Sequence, residues 1–412
     1  MTTATLRVMD AHGDFSAPQR VCWNEGRFTA VGDAAHVARS EDLGSAAGAS
    51  GTVAAVRIPT DAGWIMPGLV DAHLHAGWHA FDAADRARVG DEDTHRATAD
   101  ALARTLRAGV TSVRDAGGLT IAALERISIA LRPRVACSVA LIDRTRADVA
   151  GGLDRAVDEV LHAGATWVKL VATDGVASSP RATLDSHFSA AEFGSAARRA
   201  ASAGAGVMVH AWGGDAIDHA IESGAASIEH GIFLTAEQAR RAAEAGTTFV
   251  PTLRIYRLVQ HMIAEGGLPA AFSARVDEAV ARHPHAVRLA RDHGVAIALG
   301  TDYGTTAQHG TNRLEFDALV DAGLSTAEAL VAATISGAAL LAKAQDPGTP
   351  THAAAPGAIE PGAIADAVLL RRDPREPGAL SDPASIVGVL LNGRLIDPHP
   401  SEPRPTPRKD HP

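Results

Sequence analysis

The chain has 412 residues, 46% hydrophobic and 21% charged, and a formal net charge of -10. That balance describes a globular protein with material for a large core. It carries no basic cluster long enough to track a phosphate backbone, which argues against a nucleic-acid partner. Its two cysteines, Cys22 and Cys137, are too few for a disulfide framework and fit a reducing compartment. The N-terminus lacks a basic stretch followed by an apolar one, and no run approaches the roughly 18 apolar residues of a membrane span. A cytoplasmic enzyme without a membrane partner is the expectation.

In chain order, residues 1–63 hold short alternating segments around Leu6–Met9 and Gln19–Trp23, with no helical repeat. Residues 35–52 are small, polar and glycine-rich, and read as a loose excursion. A repeated unit then begins. Residues 65–71 read as its first strand, followed by 110–115, 134–140, 165–171, 206–210, 225–230, 247–252 and 295–302. Most of these follow a helix-like run ending in a small residue or histidine plus glycine, the residue that tolerates the left-handed conformation closing a helix. Strands rich in Val, Ile and Thr alternating with helices predict parallel βαβ units with right-handed crossovers. Eight of them predict a (β/α)₈ barrel over residues 64–345. Residues 346–396 return to strand patterns, with 367–370 and 386–391 followed by the turn Asn392-Gly393. Together with 1–63 they are expected to form one small β-sandwich domain, discontinuous in sequence. The Pro- and charge-rich tail 397–412 is predicted to be disordered.

The residues able to carry chemistry fall at matching places in these units. His73 and His75 follow strand one, and their spacing of two puts both imidazoles on one side of the chain. Lys169 lies inside strand four, between apolar neighbours, where an isolated ammonium is costly. His210, His230 and Asp302 end strands five, six and eight. In a parallel barrel all these C-terminal ends face one mouth. Four histidines, a carboxylate and a lysine suffice for two divalent ions. Nitrogen and oxygen ligands without thiolates suit Zn²⁺, with Mn²⁺, Co²⁺, Ni²⁺ or Fe²⁺ as alternatives. A buried neutral lysine can take up CO₂ as a carbamate, a bidentate bridging anion. The two ions would then share a hydroxide, and Asp302 would move its proton to the leaving group.

The segment from Met66 to His75, the run Val168-Lys169-Leu170, and the segments around His210, Glu229-His230-Gly231 and Thr301-Asp302 resemble, in order, the motifs of the amidohydrolase superfamily. The resemblance is closest to its prolidase-like and carboxypeptidase-like branch and covers roughly residues 60–395. It implies a metal-dependent hydrolase of amide-type C–N bonds, in an N-acyl amino acid, a dipeptide or a cyclic amide. It also implies that His73, His75 and Asp302 hold the more buried ion, that His210 and His230 hold the other, and that carboxylated Lys169 bridges them. The chain departs from the branch at substrate contacts. Residues 141–152 lack the histidine usual after strand three, and Trp212 stands where some relatives place a tyrosine. Lactone or phosphotriester hydrolysis would use the same site. A mononuclear deaminase or imidazolonepropionase type usually has a glutamate three residues beyond the fifth-strand histidine, where this chain has Gly213, and lacks the lysine. A metal-free scaffold should be missing ligands, and none is missing.

Around this shell, His309, Asn312, Trp212, Tyr256 and Arg254 are candidate contacts for a small-molecule substrate, Arg254, Tyr256 and Arg257 standing equally for a solvated loop. Asp115 is expected to pair with Arg114. His79, His95, His162, His187, His219, His261, His283, His285 and His293 are expected to be solvated. Specificity is expected in the loops 77–93, 174–187 and 254–269. Barrels of this kind often associate as homo-oligomers, although no sequence feature here shows it.

Overall fold

The computed structural model describes residues 1–32, 57–176, 183–344 and 357–400. The excursion expected at 35–52 lies outside them, as do part of the loop 174–187 and most of the tail. The first part of that tail, 397–400, is held, with His399 Nε2 3.1 Å from the Pro383 carbonyl.

Both flanks of the chain join one seven-stranded sheet. β1 (Thr2–Val8), β2 (Gln19–Asn24) and β3 (Arg27–Gly32) form an antiparallel meander. β4 (Trp64–Pro67) pairs parallel with β1 and antiparallel with the distant Ala367–Leu370 strand. The sheet's two ends approach each other. Segment 362–365 hydrogen-bonds to Gly26 and Phe28, and the Trp23 indole donates to the Gly393 carbonyl. Leu6, Val21, Trp23, Phe28, Ile65 and Leu369 fill the core between them.

The sequence suggested one strand over 65–71, but the chain breaks at Gly68. β4 stays in the small sheet, and β5 (Leu69–Leu74) starts the barrel. A Cβ at Gly68 would sit 1.9 Å from the Thr111 hydroxyl, so the crossing point leaves room for hydrogen only. β6 (Val110–Asp115) and β7 (Arg134–Cys137) follow β5 in parallel. The third barrel strand is interrupted at Val139, whose φ is +63°, and resumes as β8 (Leu141–Ile142). β9 (Trp167–Val171), β10 (Gly206–Ala211), β11 (Ser227–His230) and β12 (Thr248–Val250) continue the parallel order.

The eighth element, expected at 295–302, is irregular but bonded on both sides. Phe249 N–H donates to Ala296 O and Ala298 N–H to Phe249 O. On the other side Ala72 N–H donates to Leu299 O, and Thr301 and Asp302 N–H both donate to His73 O. These bonds bring the last strand to the first, giving the (β/α)₈ barrel. The remaining strands, β13 (Ala367–Leu370), β14 (Ile386–Leu391) and β15 (Arg394–Ile396), return to the small sheet.

Candidate metal centre

The barrel brings His73, His75, Lys169, His210, His230 and Asp302 to one mouth. The ligand atoms of His73, His230 and Asp302 lie within 4.8 Å of one another. The His210 and His230 ring centroids are 4.4 Å apart, and Lys169 Nζ is 3.3 Å from His73 Nε2. His73, Lys169 and His230 are almost fully buried. Both His230 and Asp302 adopt positive φ, +71° and +54°. Non-glycine residues pay for that conformation, and surrounding contacts must hold it.

The imidazoles are oriented from behind. His75 Nδ1 lies 2.8 Å from the Gly117 carbonyl, an acceptor only, so Nδ1 carries the hydrogen. His73 Nδ1 donates to Glu229 Oε2 at 2.6 Å. In each ring this leaves the Nε2 lone pair facing inward. Both Nε2 atoms face Asp302 Oδ1, at 3.2 Å and 3.3 Å. Two lone pairs and a carboxylate oxygen directed at one another form an all-acceptor set that needs a shared cation. A proton on one imidazole satisfies one contact, whereas a divalent ion satisfies all of them. His210 Nε2 is buried and has no hydrogen-bond partner among the described residues, as a ligand nitrogen should. On these observations the residues fit divalent metal.

Burial shifts the titrations in the direction metal binding requires. It pulls Lys169 down to about 8, against the pull of Glu229 and Asp302. It takes His210 down to about 3, helped by Lys169, and His230 well below the ordinary imidazole range, helped by His210. Neutral nitrogens are the ligand forms.

A polar network under the site went unassigned in the sequence. For Glu229, burial acts to raise the carboxyl, but Arg114 and the bond from His73 hold it down at about 2. Arg114 donates to Glu229 (2.9 Å), to Ser227 Oγ (3.0 Å) and to the Ala72 carbonyl (2.7 Å), and lies over the Trp167 ring. Asp71 ties strand one to strand eight through Thr301 Oγ1 at 2.7 Å. His230 Nδ1 meets Thr252 Oγ1 at 2.8 Å. The signal that exposed Lys169, a charge inside an apolar strand, also marks Glu229 and Arg114.

Several expectations need correction. Asp115 does not pair with Arg114; it accepts the N–H groups of Ala76 (2.9 Å) and Gly117 (3.0 Å), fixing the turn after β5. Asn312 is fully buried, its amide donating to Asp71 (2.8 Å) and its oxygen accepting from Gly310 N–H (3.0 Å). Its described bonds all tie it to the protein itself, beneath the metal-facing residues. Arg254 Nε donates to the Tyr303 hydroxyl at 2.9 Å, and its backbone N–H to Glu315. His309 is buried, under the influence of Arg104 and His75. His283, expected in solvent, is buried and bonds the His230 carbonyl at 2.7 Å. Trp212 and Tyr256 do flank the centre, with ring centroids 5.5 Å apart and Tyr256 6.1 Å from His230. Trp78, not singled out before, stacks on His75 at 3.8 Å.

Comparison with known proteins agrees with this geometry. The model of the family described as Amidohydrolase family matches residues 64–396. An uncharacterized protein of Mycobacterium tuberculosis (strain ATCC 25618 / H37Rv) is 31% identical over 346 residues, covering 82% of this chain and 86% of its own. An imidazolonepropionase of Salinispora tropica is 29% identical over 355 residues, covering 76% and 79%. A prolidase solved in complex with N-methylphosphonate-L-proline superposes with a TM-score of 0.80 at 26% identity, covering 96% of this chain and 99% of that one. The chain belongs to the amidohydrolase family and is a hydrolase acting on carbon–nitrogen bonds.

Proposed function

We propose that the protein is a binuclear metal-dependent amidohydrolase that cleaves an amide-type C–N bond in a small molecule. The observation that carries this reading is the convergence of His73 and His75 lone pairs on Asp302, with the unpartnered His210 Nε2 beside them. His73, His75 and Asp302 would hold one divalent ion, and His210 and His230 the other. Zn²⁺ suits this donor set best, with Mn²⁺, Co²⁺, Ni²⁺ and Fe²⁺ as alternatives. When bound, the ions supply Lewis acidity toward the substrate carbonyl and acidify water.

The remaining work falls to the chain. Lys169, buried and 3.3 Å from His73, would be the ligand shared by both ions once its neutral amine adds to CO₂. That step forms an N–C bond, releases a proton to solvent and leaves a carbamate with two donor oxygens. The Asp302 carboxylate, about a quarter exposed where His73, His75, Lys169 and His230 are sealed, accepts the proton of the attacking water. It then delivers that proton to the nitrogen of the breaking bond, so the amine leaves neutral. Glu229 and Arg114 keep the His73 ring in the required tautomer throughout.

The imidazolonepropionase relative raises a mononuclear alternative. Gly213 and the buried Lys169 speak against it, since neither suits a single-ion site with a glutamate beyond the fifth strand. A mass-spectrometric screen of N-acyl amino acids, dipeptides, cyclic amides and lactones against zinc- and bicarbonate-loaded enzyme tests the reading. Turnover confined to amides supports it. Turnover of lactones alone refutes it.

A further inference from the structure

Three helices around the barrel begin on an ordinary cap. Ser189, Thr235 and Ser325 are extended, and each turns its hydroxyl onto the backbone N–H three residues further on. The helix Leu253–Ala264, which follows β12, starts differently. Thr252 stands at its cap position, but its φ is +56° and its side chain makes no bond to the helix. A β-branched residue is strained in that conformation, so surrounding contacts must hold it. The Thr252 hydroxyl turns to the metal centre instead. It lies 2.8 Å from His230 Nδ1 and also hydrogen-bonds Tyr256.

The first N–H groups of that helix then need another acceptor. Glu315 provides it from 62 residues away in sequence. Its Oε1 accepts from Leu253 N–H at 2.5 Å, and its Oε2 from Arg254 N–H at 3.0 Å. Glu315 is fully buried, in the first turn of the helix Leu314–Ala322 that follows the last barrel strand. A cap taken from the eighth unit thus stands in for one the seventh unit carries but does not use.

The exchange matters for His230. A ligand imidazole must present one bare nitrogen, and the bond made by its other nitrogen decides which. With Nδ1–H donated to Thr252, Nε2 is left for metal. The backbone of the same residue, at φ +71°, is held separately, since His283 Nε2 donates to its carbonyl at 2.7 Å. Were Thr252 to cap its own helix, the acceptor that sets the His230 tautomer would be drawn away.

We propose that Glu315 is a positioning residue for the metal centre: it caps the helix Leu253–Ala264 in place of Thr252, and so frees the Thr252 hydroxyl to hold His230 with Nε2 toward the metal. Glu315 touches neither ion nor substrate and acts only through Thr252. The inference rests on the two-ion reading for its effect on binding, but the His230 tautomer can be measured without metal.

The test begins with nuclear magnetic resonance of the metal-free full chain carrying isotope-labelled histidine, which reports the tautomer of each ring. The His230 signal is identified by its absence in His230→Gln. Wild-type His230 should be in the Nδ1–H form, and Glu315→Gln, which keeps one acceptor oxygen, should show both forms. Stepwise calorimetric titration with Zn²⁺ follows. Glu315→Gln should bind the ion held by His210 and His230 about 10-fold more weakly, and the other ion within about 2-fold of wild type. Thr252→Val should lose about 10- to 100-fold on the same ion, and Thr252→Ser should behave as wild type. Glu315→Gln/Thr252→Val should lose no more than Thr252→Val alone, because both changes act on one bond. A Glu315→Gln protein of lowered stability with wild-type tautomer and wild-type zinc affinities makes Glu315 a structural cap and overturns the proposal. Additive losses in the double variant overturn the route through Thr252. Should Glu315→Gln not fold, Glu315→Asp, which shortens the reach of the carboxylate, is read the same way, and a wild-type tautomer there overturns the proposal. If the wild-type protein binds one ion only, the two-ion reading falls and the metal-free tautomers still decide the role of Glu315.

Discussion

At the floor of the barrel mouth, His73 and His75 each have Nδ1 committed to a fixed acceptor, and Glu229, Arg114 and Asp71 behind them are sealed from solvent. At the rim, Trp78, Trp212, Tyr256 and Arg275 come from loops and helices after three different strands, held mainly by ring stacking and a few hydrogen bonds. The floor is over-determined, and a change there should disturb metal and fold together. The rim is assembled from separate pieces, so a change there should alter substrate choice and leave metal in place.

The largest effect expected from breaking that contrast is at Asp302. Asp302→Asn removes the proton carrier and should lower kcat by about 1,000-fold or more, measured under saturating Zn²⁺. A residual rate within about 10-fold of wild type would assign the proton to another group. Glu229→Gln comes next. It loosens the His73 tautomer and leaves Arg114 buried without its counter-charge, so zinc affinity should fall about 10- to 100-fold. Stability should drop by about 3 kcal/mol, read by denaturant titration. Unchanged affinity would show that the floor is not organised through Glu229.

Asn312→Ala separates floor from rim directly. Losing the bond to Asp71 should cost about 1–3 kcal/mol while the ratio of rates on any two substrates stays constant. A changed ratio would return Asn312 to the substrate site. The smallest effect concerns pH. Burial pushes Glu315 up to about 8, opposed by the backbone N–H groups of Arg254 and Leu253. The folded state therefore holds a proton that the unfolded chain has already released above its ordinary carboxyl range. This contribution is complete below pH of about 4.5 and declines as pH rises toward 8. Glu315→Gln should flatten the fall in Tm across that window, and a slope equal to wild type would contradict the assignment.

The floor was legible in the sequence because its signals are local. Spacing of two in His73 and His75, a lysine inside an apolar strand, and polar residues closing successive strands each follow from strand periodicity. The break at Gly68 escaped the same logic, since residues 64–74 are apolar on both sides of it and only the contact with Thr111 forces the chain to change sheets. The rim was hidden for a different reason. Arg275 lies more than 60 residues from Trp212 in sequence, on a helix with nothing in its pattern to mark one arginine among many. Arg254 looked better placed because it directly follows a strand, yet Tyr303 claims it. Glu229 and Arg114 form an intermediate case. Their anomaly was visible, but only the barrel shows that they meet each other under His73.

The central claim, a two-ion centre bridged through Lys169, is tested most directly by metal stoichiometry. Protein purified without chelators and loaded with Zn²⁺ and bicarbonate should carry about two equivalents per chain by inductively coupled plasma mass spectrometry. Lys169→Ala should retain about one or fewer, with partial recovery of the second ion and of activity in short carboxylic acids. A wild-type protein that never exceeds about one equivalent, or a Lys169→Ala variant that binds as much metal as wild type, would contradict the account.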